Sequence, residues 1–96
     1  METFQNKSII ISRKPGEDKE GFKTVQIALF EENNPHLKGK IPFKVLEYPK
    51  IEKVRIKKLE NISYYTAGND LVINDLTELK ISLDQGIITL TGKQEF

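Results

Sequence analysis

The stretch Leu79-Lys80-Ile81-Ser82-Leu83-Asp84-Gln85-Gly86-Ile87-Ile88-Thr89-Leu90 decides the class of this fold. Leu79, Ile81 and Leu83 alternate with polar residues and run into Asp84-Gln85-Gly86, and Ile88 and Leu90 return from it. Successive side chains on a strand point to opposite faces, so this spacing predicts two half-buried strands joined by a tight hairpin.

The same period recurs upstream. Ser8 to Arg13 is short, β-branched and apolar, and ends at the turn signal Lys14-Pro15-Gly16. The polar, glycine-bracketed residues Gly16 to Gly21 predict a hairpin loop. From Phe22 to Phe30, Val25, Ile27 and Leu29 alternate with Thr24, Gln26 and Ala28, a strand pattern that the β-branched residues favour over a helix. Glu31-Glu32-Asn33-Asn34-Pro35 stops it. Pro42 and Pro49 forbid a long helix in the middle and leave Ile41 to Glu47 as a short edge strand or extended loop. Ile51 to Leu59 alternates again, with Val54 and Ile56 opposite Lys53, Arg55 and Lys57. Ile62 to Thr66, a turn at Ala67-Gly68-Asn69-Asp70 and the triplet Leu71-Val72-Ile73 follow, and Asn74 to Leu79 has the acceptor of a single helical turn.

Six or seven short strands in 96 residues predict one all-β domain over residues 1–96, a small antiparallel barrel or sandwich. Closing a sheet removes its exposed edges, so an OB-like, five-stranded Greek-key barrel fits best. An SH3-like barrel and a small β-sandwich are the alternatives.

The absence of cysteine excludes disulfide frameworks, thiolate metal sites and cysteine nucleophiles, and the single histidine, His36, excludes multi-histidine metal sites. Glu31-Glu32 and Asp70 with Asp75 are turn and surface carboxylates in this pattern, and the Asn69-Asp70…Asn74-Asp75 spacing lacks the ligand order of an EF-hand. The glycines stand singly, as turn glycines do, so no phosphate-binding loop is present. We therefore expect no enzyme, no cofactor and no metal. The sequence also carries no signal-peptide pattern and no apolar run long enough for a membrane span, which predicts a soluble cytoplasmic protein without membrane contact.

Fifteen Lys and Arg against fourteen Asp and Glu give a formal charge of +1, but the distribution is uneven. Residues 36–58 hold Lys38, Lys40, Lys44, Lys50, Lys53, Arg55, Lys57 and Lys58 against Glu47 and Glu52, a local +6 balanced by −5 elsewhere. Phe43 and Tyr48 lie within this stretch, and Tyr64 and Tyr65 one predicted strand later. Single-stranded nucleic acid needs cations along its backbone and flat apolar surfaces for its bases. The expected contact set is thus Lys38, Lys40, Lys44, Lys53, Arg55, Lys57 and Lys58 for phosphates, with Tyr48, Tyr64 and Phe43 for stacking. The competing reading is an ordinary solvated face, since alternating lysines also protect sheet edges and aromatics in small barrels are usually buried.

Ile41-Pro42-Phe43-Lys44, Glu47-Tyr48, an alternating strand, the Ala67-Gly68 turn and Asp75-Leu76…Leu79-Lys80 together resemble the YdcP-like proteins of Gram-positive conjugative elements over residues 41–80. The resemblance implies a helicase-processivity role in replication of mobile DNA, with a helicase or other replication protein as partner. The small OB-type single-stranded-DNA-binding proteins of phages are similar in length and strand content. The leading expectation is a sequence-tolerant, single-stranded nucleic-acid-binding protein of a phage or mobile element. The alternative is a protein-interaction module, a phage-encoded inhibitor or structural subunit, using its basic strand or a sheet edge. Unprotected edges on so small a chain also predict a gain from homodimerisation. Exposed tyrosines along a groove would favour nucleic acid, whereas a flat apolar patch would favour protein.

Overall fold

The computed structural model describes residues 2–15, 23–35, 39–56 and 64–94. The expected loop at Gly16–Gly21, His36 and three of the expected phosphate contacts, Lys38, Lys57 and Lys58, lie outside them. Nine strands are described: β1 (Glu2–Phe4), β2 (Ser8–Pro15), β3 (Lys23–Phe30), β4 (Lys44–Ile51), β5 (Lys53–Ile56), β6 (Tyr64–Ala67), β7 (Asp70–Ile73), β8 (Leu76–Asp84) and β9 (Ile87–Gln94).

The hairpin that decided the fold class forms as read. Asp84 pairs with Ile87 across a two-residue loop. Gln85 and Gly86 both take positive φ, 48° and 78°, the backbone of a type I′ turn, whose twist matches that of the flanking strands. The β6–β7 hairpin has the same length, with Ala67 opposite Asp70 and Gly68 at φ 64° in the first loop position.

The ladders assemble two sheets, β1-β8-β9-β5 and β4-β3-β2-β7-β6. They meet across one apolar core in which Ile9, Ile11, Val25, Ile27, Leu29, Ile51 and Ile73 of the larger sheet pack with Leu76, Leu79, Ile81, Ile88 and Leu90 at the smaller. Burying a side chain of this size contributes about 1.5–3 kcal/mol, and the alternation of the strands supplies most of the set. The all-β class therefore stands, in a two-sheet layout. Among the described residues no ladder joins the two sheets into a closed wall.

Three local expectations change with it. The ladders are not all antiparallel, because β5 runs parallel to β9. Its cause lies in the chain path. Only Glu52 separates β4 from β5, and Lys50 takes φ 57° just before it. The backbone amides of Glu52 and Lys53 donate to the Gly86 carbonyl at 2.8 and 3.3 Å, so the chain leaves one sheet and enters the other at the tip of the β8–β9 hairpin. A strand that switches sheets through such a bend is how stacked sheets turn a corner. Second, the predicted helical turn after Asn74 is absent, and β8 begins at Leu76. Asp75, at φ 60°, is tied instead to the chain beyond β3: Asn33 Nδ2 donates to Asp75 Oδ1 and the Asp75 amide to Asn33 Oδ1, each at 2.9 Å. Asn34 and Asn74 repeat the exchange beside them, at 2.9 and 3.0 Å. Third, Glu2–Phe4 forms an edge strand against β8 that no pattern announced.

Candidate functional site

Register assigns each expected contact residue to a face. On β5, Val54 and Ile56 stand opposite the buried Ile88 and Leu90, so Lys53 and Arg55 stand opposite Ile87 and Thr89 on the outer face of the smaller sheet. Both are exposed. Their surroundings are polar: Ser82 and Asp84 of β8 pair with those same β9 residues. This is a solvated face carrying two cations, and no aromatic of the expected set lies on it.

The aromatics go elsewhere. Tyr48 is half-buried and packs against the core. Tyr64, 54% exposed, is on β6 at the far edge of the larger sheet, opposite Ile73. Phe43 immediately precedes β4, at the other edge of that sheet, with its amide donating to the Leu29 carbonyl at 3.0 Å. Lys44 is exposed and places its ammonium 5.2 Å from the centre of the Phe4 ring on β1, a cation–π contact between the two sheets. Lys40 is drawn into the wall: its side chain is 17% exposed, its ammonium is 2.7 Å from Glu32 Oε2, and it donates to the Asn33 carbonyl at 2.5 Å. The structure thus brings together Lys53 with Arg55, and neither of them with Phe43, Tyr48 or Tyr64.

The outer face of the larger sheet holds what the charge pattern did not suggest. Val45, Ala28, Ile10, Val72 and Tyr65 occupy successive strands in one register row, crossing β4, β3, β2, β7 and β6. Ile10, Phe30 and Val72 are buried there as a second apolar cluster, with Ala28 and Tyr65 against it. Toward β4 the same surface opens to solvent: Ile41 is 89% and Phe43 48% exposed in the segment that leads into β4, and Val45 is 51% exposed on it. Phe30, Ile41 and Phe43, with Glu31, Glu32, Gly39 and Lys40, line an open depression of about 400 Å³. The alternation Ile41-Phe43-Val45 was visible in the sequence. Its apolar side reads as inward on the usual assumption that strands bury it, and here it faces out because Leu46 and Tyr48 take the core side of β4.

A smaller recess of about 220 Å³ lies between Ile11, Arg13, Leu71 and Asp70 of the larger sheet and Val54 of β5. Among the described residues no group of three or more His, Cys, Asp or Glu side chains could hold a metal ion, and no helix is long and apolar enough to cross a membrane. Compared with protein families, curated proteins and solved structures, the chain matches none of them.

Proposed function

We propose that this is a non-enzymatic protein-interaction module that docks a partner protein on the outer face of its larger sheet, at the β4 edge. One observation carries the reading: Ile41, Phe43 and Val45 form an exposed apolar strip continuous with a row that crosses all five strands. Scattered exposed apolar residues are normal on a protein surface, whereas contiguous ones mark contact surfaces. A helicase or other replication protein, the partner class implied by the YdcP-like resemblance, would engage through this face, in a cytoplasmic setting. A second copy of the chain could use the same strip to form a homodimer.

The test is site-specific photo-crosslinking in an extract of the source cells, with a benzoylphenylalanine placed at position 43 or at position 55. A protein adduct at 43 that disappears in Val45→Asp supports the reading, and an adduct with the chain itself identifies the homodimer. No protein adduct at 43, or adducts equal at both positions, refutes it.

One observation favours nucleic-acid binding as a second reading. Lys53 and Arg55 are exposed on one face of an edge strand, where a phosphate backbone could lie along them. Without stacked bases such binding would be almost wholly electrostatic, tolerant of sequence and steeply salt-dependent. Fluorescence anisotropy with a labelled single-stranded oligonucleotide at two salt concentrations tests it. Binding at low salt that is lost in Lys53→Ala/Arg55→Ala supports it, and no binding at low salt removes it.

A further inference from the structure

Resting on the protein-interaction reading, we infer that the partner segment seated on this face is basic as well as apolar: an apolar side chain fills the depression between Phe30, Ile41 and Phe43, and flanking lysine or arginine side chains meet Glu31 and Glu47. The sign follows from where the local charges are turned. Residues 36–58 carry an excess of cations in sequence, yet Lys40, which lines the depression, and Lys44 beside it each hold their ammonium against another group. Lys40 is spent against Glu32 and Asn33, with 17% of its side chain exposed. Lys44 is exposed, with its ammonium over the Phe4 ring of β1 at 5.2 Å from its centre. Lys53 and Arg55 belong to the other sheet.

The carboxylates remain outside. Glu31 lines the depression beside Phe30 and is exposed. Glu47 follows Val45 by two residues on the same outer side of β4, opposite Gln26, and is exposed as well. Neither is a member of a described ion pair. Polar rims around an apolar centre set orientation and partner choice, because a like-charged partner is repelled while an opposite one is steered in. An acidic peptide would therefore be rejected here even if its apolar anchor fitted.

The experiment is an unbiased peptide-library selection on the folded protein, followed by anisotropy titration of the enriched synthetic peptides. Phe43→Ser and Glu31→Lys/Glu47→Lys serve as variants. All three positions are exposed, and each variant is first checked for an unchanged thermal melt. The expected result is enrichment of peptides with an apolar anchor flanked by Lys or Arg. Their affinity should fall about tenfold or more in Glu31→Lys/Glu47→Lys and be lost in Phe43→Ser. Enriched peptides that depend on Phe43 but are acidic or neutral, or that ignore the charge reversal, overturn this inference and leave the interaction surface standing. Failure to enrich any Phe43-dependent peptide overturns the inference together with the reading beneath it.

Discussion

Replacing Gly92 with alanine should be the most damaging single-methyl change in this protein. Gly92 sits in β9 opposite Leu79, next to the register shift between Leu76 and Glu78 that bulges β8 toward it. An alanine Cβ there would lie 2.2 Å from the Glu78 carbonyl oxygen, 3.2 Å from its carbon and 3.3 Å from the Leu79 Cα. Carbon and carbonyl oxygen ordinarily approach no closer than about 3.3 Å, so the two strands must separate locally by roughly 1 Å. All three obstructing atoms are backbone, and no side chain can rotate away to relieve the contact. Overpacking of this kind costs about 1–3 kcal/mol, and stretching one or two ladder hydrogen bonds adds about 1 kcal/mol each, for a total of about 2–5 kcal/mol. A domain of this size loses about 4–8 °C per kcal/mol, which converts to a drop in Tm of roughly 8–40 °C. Thermal and urea melts followed by far-UV circular dichroism read this directly. Gly68→Ala is the control: a Cβ there meets nothing within 4 Å, and only the left-handed φ of 64° is strained, at about 1–2 kcal/mol. If Gly92→Ala melts no lower than Gly68→Ala, the bulge geometry that defines the β8–β9 register is wrong.

Three further outcomes follow from the same packing. The Tyr65 hydroxyl is buried without a hydrogen-bond partner, so Tyr65→Phe should leave stability unchanged or raise it by up to about 1 kcal/mol in a urea melt, and a loss above that would mean the hydroxyl is bonded in solution. Asn33 and Asp75 exchange two hydrogen bonds, of which only Asn33 Nδ2 to Asp75 Oδ1 needs both side chains; a double-mutant cycle with Asn33→Ala and Asp75→Ala should show a coupling of about 1 kcal/mol for that bond, and additive effects would remove it. Phe43→Ser removes a half-exposed ring outside the main core and should shift stability by less than about 1 kcal/mol, so a large loss would mean that this strip serves the fold rather than a partner.

The expected nucleic-acid set shows where linear reading stops. Alternation over Lys53-Val54-Arg55 correctly separates the two cations from Val54, because a strand imposes that period whatever surrounds it. It carries no information on which sheet a strand joins. Phe43 and Lys53 are ten positions apart and read as one basic, aromatic surface, but Glu52 lies between β4 and β5, and the chain changes sheets there. The cations and the ring then stand on the outer faces of different sheets. Lys40 and Lys44 read as available charge, yet Lys40 is held by Glu32 within the same β3–β4 connection, and Lys44 lies over Phe4 of the distant β1.

By itself the sequence determined the all-β class, the β8–β9 hairpin, the turns at Gly68 and Gly86 and the core faces of β3 and β9, since each rests on local backbone preference and a two-residue period. It also contained Asn33, Asn34, Asn74 and Asp75, without showing that they would bond one another across forty residues in place of starting a helix. Only the tertiary structure decided the two-sheet layout, the parallel entry of β5 beside β9, and the recruitment of Glu2–Phe4 as an edge. It alone turned Ile41, Phe43 and Val45 toward solvent, because Leu46 and Tyr48 had already taken the core side of their strand. The physical reason is common to all of these. Periodicity fixes which side chains share a face, whereas what that face meets depends on where the rest of the chain is free energetically to pack.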